Sequence, residues 1–326
     1  MAGMNVAAGP KLAAAVTNAG GLGVIGGVGY TPAFLKKQIE LIKSYLNDKN
    51  APFGIDLLLP KVGEGARATN YDYTKGELPE LIDIICTSGA KLFVSAVGIP
   101  PRWAVEKLHK SGILVMNMVG APKHIPKALE VGVDLICAQG GEGGGHTGDV
   151  ATSILIPMAV DICKTAKSPL TGKPVAVVAA GGIFDGRGLA MSLSLGAEAV
   201  WVGTRFVCST EAGASPHHQK AIIGADFHDT IRTIIYTGRP MRVLKTNYIT
   251  EWEDQRSDKI KELTSKGVIP VEYDIEHQAD KVERPLLMGQ AAAAIKDIKP
   301  AAEIINEMMT QAIDILKASS KRISKL

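Results

Sequence analysis

Apolar residues fall along this chain in two alternating patterns. Short, nearly continuous hydrophobic runs at 22–25, 53–59, 91–97, 113–119, 133–137, 175–179 and 199–202 read as buried strands. Between them, apolar residues recur at helical spacing, as at Phe34, Leu35, Ile39, Ile42, Tyr45 and Leu46 behind the capping residue Thr31. The same reading predicts helices over 12–18, 32–47, 78–88, 101–110, 122–131, 153–166 and 186–195. Strict alternation of strand and helix implies parallel pairing, and strands without a polar face must be covered on both sides. Either a TIM (β/α)8 barrel or a doubly wound sheet satisfies this.

A closed barrel needs eight strands, and the pattern supplies seven. The chain opens at Met1-Ala2-Gly3 and enters a helix almost at once. The expectation is therefore a TIM barrel lacking its first strand, with the seven runs taking positions two to eight. Residues 1–214 would form this core. Residues 215–326 read as a mainly helical addition: a helix at 216–224, a loop through Gly238-Arg239-Pro240, an amphipathic helix at 251–265 and a long one near 301–318.

The candidate chemistry follows the strand at 133–137. The loop Gln139-Gly140-Gly141-Glu142-Gly143-Gly144-Gly145-His146-Thr147-Gly148 offers much backbone and few side chains. Glycines let main-chain N–H groups approach a ligand closely, and His146 is the one side chain there suited to proton transfer near neutral pH. The bland alternative is a turn carrying a solvated histidine. In barrel order, the strands at 175–179 and 199–202 are the seventh and eighth, and they end in Gly181-Gly182 and Gly203-Thr204. TIM barrels commonly bind phosphate through those two loops.

Composition narrows the class. The chain has 326 residues, 46% of them hydrophobic and 5% aromatic, with a mean hydropathy of +0.12. Its formal charge of +3 is too small and too dispersed for a nucleic-acid footprint. No run approaches the length of a membrane span. Four cysteines, Cys86, Cys137, Cys163 and Cys208, lack CxxC spacing and point to reduced thiols in an intracellular compartment, with neither disulfides nor a metal site.

Beyond single motifs, the order of Met1-Ala2-Gly3, residues 12–23, Phe53-Gly54-Ile55-Asp56, the histidine loop, Ala179-Ala180-Gly181-Gly182-Ile183, Trp201-Val202-Gly203-Thr204-Arg205-Phe206 and Leu287-Met288-Gly289-Gln290 resembles the nitronate monooxygenases, formerly 2-nitropropane dioxygenases, and particularly their fungal members. The resemblance implies an FMN-dependent barrel that oxidises alkyl nitronates with O2 to carbonyl compounds and nitrite. His146 matches the family's catalytic histidine, which acts on the substrate and removes the α-proton of a neutral nitroalkane. Gly181, Gly182, Gly203 and Thr204 match the flavin phosphate site. Lys123 matches a lysine that reaches the flavin, Gln139, Gly144 and Gly145 would contact it from the histidine loop, and Met1, Ala2 and Gly3 would lie along its ring. Gln290 starts a helix and could reach a ligand with its amide.

Two departures accompany the match. Asp56 stands where many bacterial relatives carry asparagine, which would put an acceptor-only carboxylate beside the ring or the ribityl chain. A missing first strand would leave two unpaired edges and remove a wall of the flavin site. The alternatives are accordingly an FMN enoyl reductase using NAD(P)H, sharing the barrel and a similarly placed histidine, and a shortened, inactive isoform. The last three residues, Ser324-Lys325-Leu326, match the tripeptide read by the peroxisomal import receptor, so a peroxisomal address is expected, with the cytoplasm as the alternative.

Overall fold

The structure, a computed structural model, describes residues 1–323, so the Ser-Lys-Leu tripeptide lies outside the described residues. Its strands are β1 (Gly23–Gly27), β2 (Phe53–Leu58), β3 (Leu92–Ala96), β4 (Leu114–Val119), β5 (Leu135–Gln139), β6 (Gly145–His146), β7 (Ala176–Ala180), β8 (Ala199–Trp201), β9 (Thr230–Thr233) and β10 (Met241–Leu244). Its helices are α1 (Pro10–Asn18), α2 (Pro32–Tyr45), α3 (Leu78–Thr87), α4 (Arg102–Lys110), α5 (Ile125–Glu130), α6 (Thr152–Cys163), α7 (Gly186–Ser194), α8 (Thr204–Val207), α9 (Pro216–Gly224), α10 (Asn247–Thr250), α11 (Ser257–Ser265), α12 (Pro270–Gln278) and α13 (Ala301–Ile323).

Seven strands form one parallel sheet in the order β1-β2-β3-β4-β5-β7-β8, curled as in a TIM barrel with helices outside. The hydrophobic runs fall into two layers. Val24, Val94, Met116, Cys137, Val178 and Trp201 pack inside the curl, whereas Ile25, Ile55, Phe93, Val115 and Ile136 pack outward against Leu12, Ile39, Ile82 and Leu155 of the helices. That double burial is why the strands read as unbroken apolar runs.

β1 and β8 are not paired with each other. Residues 1–5 are seated between them: the amino group of Met1 donates to Leu22 O (2.9 Å), Ala2 N to Val202 O (2.9 Å) and Asn5 N to Gly26 O (2.9 Å). The opening segment itself therefore lies in the gap between the two edge strands. On the outside, α13 packs against both α7 and α1. Gly186 makes the α7 contact possible, since a Cβ there would lie 2.5 Å from Met308 O, and its N–H donates to Gln311 Oε1 (2.7 Å).

The portion after residue 214 departs from the helical expectation. β9 and β10 form a hairpin that joins β6 in a three-stranded antiparallel sheet, order β6-β10-β9. Four-residue strands with arginines at Arg232 and Arg242 carry too little apolar signal to register as strands. The single helix expected over 251–265 is also broken, into a π turn at Glu251–Gln255 that continues α10 and, after it, α11. The cause is Asp274, fully buried on α12, which accepts from Tyr248 Oη, Trp252 Nε1, Gln278 and both terminal nitrogens of Arg256. Satisfying one buried carboxylate outweighs keeping one regular helix.

Candidate active site

The site is assembled at the C-terminal rim of the parallel sheet, where the glycine turns meet. After β5, the loop turns back so that Gly140 N donates to Ala180 O (2.9 Å) and Gly141 N to Val150 O (2.8 Å). Gly144 is packed so closely that a Cβ would lie 2.6 Å from Gly289 N. The segment 288–290 docks there, with Gln290 N donating to Glu142 O (2.9 Å) and Gly289 N to Thr204 Oγ1 (3.0 Å). Glu142 folds its carboxylate onto the head of α6 and accepts from the N–H and hydroxyl of Thr152. Thr152 Oγ1 also lies 2.9 Å from Gly181 O. Gly181 and Gly182 are left-handed, at φ +94° and +71°, conformations that glycine reaches without strain.

His146 lies in β6, opposite Met241 of β10, so a hairpin from the distant C-terminal part fixes it. Its Nε2 is 3.0 Å from Thr237 Oγ1, and that hydroxyl donates to Arg239 O at 3.3 Å. A threonine hydroxyl has one proton. With it committed to Arg239 O, the hydroxyl accepts from Nε2–H, which leaves Nδ1 as the basic nitrogen. Burial, and next the charge of Arg239, push the imidazole down to about 4 from an ordinary 6.5, so it is neutral at physiological pH.

Arg239 is itself anchored. Its Nε donates to Asn70 Oδ1 (3.0 Å) and its Nη1 to Val97 O (3.0 Å). Val97 is a β-branched residue at φ +70°, a strained conformation held by Arg239 and by Asn117, whose amide donates to Gly98 O (2.7 Å) and Ser95 O (3.0 Å). Thr237, Arg239, Asn70 and Asn117 were not identifiable as site residues from sequence. The turn Gly238-Arg239-Pro240 was visible, but no spacing linked it to the histidine.

Other sequence candidates are placed as follows. Gln139 donates its amide to His146 O (2.8 Å) and so shapes the histidine turn. Thr204 uses its hydroxyl as the acceptor for Gly289. Gly203 lies beside the opening segment, its Cβ direction reaching Met4 Sδ at 3.5 Å and Ala2 at 3.8 Å. Gln290 joins through its backbone while its side chain is exposed, and Lys123 is exposed on the 3-10 turn Pro122–His124.

Asp56 is the deepest of the set. It lies on β2 under the opening segment, where a Cβ on Gly3 would be 2.7 Å from its Oδ2, and its Oδ1 is buried with no hydrogen-bond partner. Burial pushes its carboxyl up to about 8. Against the acceptor-only expectation, that direction favours the protonated carboxyl, which can donate.

A family model for nitronate monooxygenases matches residues 1–311. The chain belongs to the nitronate monooxygenase family. A Staphylococcus saprophyticus protein named "Probable nitronate monooxygenase" is 32% identical, over 79% of this chain and 79% of its own length. A hydroxy-methyl-oxo-octahydroindene-carboxyl-CoA dehydrogenase of Rhodococcus jostii is 35% identical over 77% of this chain, and the match spans 63% of that longer protein. Among solved structures, FabK of Thermotoga maritima superposes with a TM-score of 0.79 at 29% identity, covering 99% of this chain and 94% of its own.

Family membership makes the chain a flavin-dependent oxidoreductase. The residues present fit such a group. The left-handed glycines at 181 and 182 keep a turn free of side chains, and the orphaned buried Oδ1 of Asp56 awaits a polar partner beneath Gly3.

Proposed function

We propose that this chain is an FMN enzyme that oxidises alkyl nitronates, and neutral nitroalkanes, with O2 to give carbonyl compounds and nitrite. The observation that carries the reading is the neutral, oriented imidazole of His146, held beside the cationic Arg239 at the rim where the glycine turns meet. FMN, when bound, supplies the electron acceptor and the reactivity with O2. Gly181, Gly182 and Gly203 would offer main-chain N–H groups to its phosphate, and Asp56 and Met1–Gly3 would flank its ring. An anionic nitronate suits a partly desolvated site with a fixed positive charge. For a neutral nitroalkane, His146 Nδ1 takes the α-proton and the substrate becomes the nitronate; a preformed nitronate needs no such step.

The likeness to FabK over nearly the whole chain, and the dehydrogenase relative, favour a second reading as an NAD(P)H-dependent reductase of thioesters. Stopped-flow spectra of the anaerobic yellow protein separate the two. Rapid bleaching by a nitronate, with nitronate-dependent O2 uptake, is the expected result. Rapid bleaching by NADPH and none by nitronate would replace the first reading by the second, and colourless protein inert to both would favour an inactive isoform.

We also propose that Ser324-Lys325-Leu326 directs import into peroxisomes. A fluorescent protein carrying residues 317–326 should collect in peroxisomes and become cytosolic when Leu326 is deleted. Diffuse signal from the intact tail would sink the proposal.

A further inference from the structure

In the sheet that carries His146, β10 places Arg242 directly opposite Arg232 of β9 and opposite Gly145 of β6. Directly opposed residues of antiparallel strands share a face at roughly 5 Å between Cβ atoms, and like charges in that register repel. The two guanidinium groups therefore stand side by side, on the face opposite the one that carries Met241 and His146. Among the described residues, the arginine ion pairs involve Arg187, Arg205 and Arg256 and neither member of this pair. Glu142 is an opposing charge felt by Arg242, with its carboxylate oxygens turned to the N–H and hydroxyl of Thr152.

Arg242 is held rigidly, its Nε donating to Gly141 O (2.9 Å) and its Nη1 to Thr230 Oγ1 (3.1 Å). Arg232 is not satisfied: its Nε is buried without a hydrogen-bond partner. Burial, and next the charge of Arg232, lower the pKa of Arg242. A repelling pair with one anchored fork and one orphaned donor suits an anion, because a bridging oxyanion would cancel the repulsion and fill the donor.

We infer that Arg232 and Arg242 form a subsite for the phosphate group of a phosphate-ester substrate or cosubstrate. Planar guanidinium forks suit tetrahedral oxyanions better than ammonium groups do. The subsite adjoins Gly145, one residue along the ribbon from His146 but on its other face, so a small nitronate at the imidazole does not reach it. The ligand must be a longer molecule whose phosphate lies outside the reacting centre. Two sources share that chemistry, a nicotinamide dinucleotide and the nucleotide tail of a coenzyme A thioester.

The test titrates inorganic pyrophosphate into the flavin-loaded full chain by calorimetry at low salt, with NADPH, NADH and coenzyme A in parallel. Pyrophosphate should bind, more weakly as salt rises. Arg232→Met should weaken it by about 10- to 100-fold, the size of one charged hydrogen-bonding partner, while Arg232→Lys falls between. Coenzyme A binding more tightly than the dinucleotides identifies a thioester tail; NADPH or NADH binding more tightly identifies the dinucleotide. Unliganded Arg232→Met should melt no lower than wild type, since a like-charge contact is gone. Pyrophosphate affinity equal in wild type and both variants, or no binding to wild type, overturns the subsite. So does a lowered melting temperature in Arg232→Met with affinity unchanged, which would make the arginine structural. Nitronate-driven O2 uptake, measured on the same samples, should be unaffected by Arg232→Met and reports separately on the proposed oxidation.

Discussion

Gly182→Asp should give a folded protein that purifies without flavin. Gly182 occupies the left-handed region at φ +71°, and a Cβ there would point toward Glu142, 3.4 Å from its Cβ. A non-glycine residue in that conformation costs about 1 kcal/mol, which the fold can absorb. The charge has the larger effect. A carboxylate about 4 Å from a bound phosphate repels it by about 4 kcal/mol per unit charge at the effective dielectric of a protein surface, or nearly three decades in affinity. Gly182→Ala separates the two terms, since it adds the backbone strain without the charge and should keep most of its flavin. Flavin content is read from the visible absorbance of the purified proteins, and folding from circular dichroism. Wild-type occupancy in the aspartate variant would remove the phosphate from this turn.

The parallel sheet was legible in the sequence because burial on both faces leaves a strand no polar position to blur its signal. The seven expected runs and β1 to β5, β7 and β8 agree to within two residues at each end. The histidine loop was legible for a different reason: six glycines in ten residues from Gln139 to Gly148, with one imidazole, have few structural explanations. What escaped was everything set by long-range contact. Arg239 reaches Val97 across 142 positions and Asn70 across 169, and no local period records either bond. β9 and β10 escaped because each is only four residues long and, in β9, the buried position is the polar Thr233 and not an apolar residue. The upward shift of the Asp56 carboxyl was hidden for the same reason, since an acidic residue in a strand reads as charged until its burial is known.

Replacing His146 by asparagine should divide the two substrate forms. Asparagine can still bond Thr237 and hold the turn, but it cannot accept a proton from carbon. Loss of a general base typically costs about 10²- to 10⁴-fold, so turnover of neutral nitroalkanes should drop by that factor while preformed nitronates lose far less. The pH profile adds a second test. Burial and Arg239 hold the imidazole near 4, below its unfolded value of 6.5, so its proton-accepting form persists through pH 5 to 8. kcat/KM for a nitroalkane should therefore show no histidine limb near 6.5. The same shift is linked to stability: the folded state favours the neutral ring, so this contribution is present above pH 6.5 and is lost as pH falls through about 4. The asparagine variant should accordingly lose less melting temperature than wild type between pH 6.5 and 4. Equal losses on nitroalkane and nitronate would refute the base role. A wild-type limb near 6.5 would instead show that the ring is solvated in the working enzyme and that the hairpin does not desolvate it.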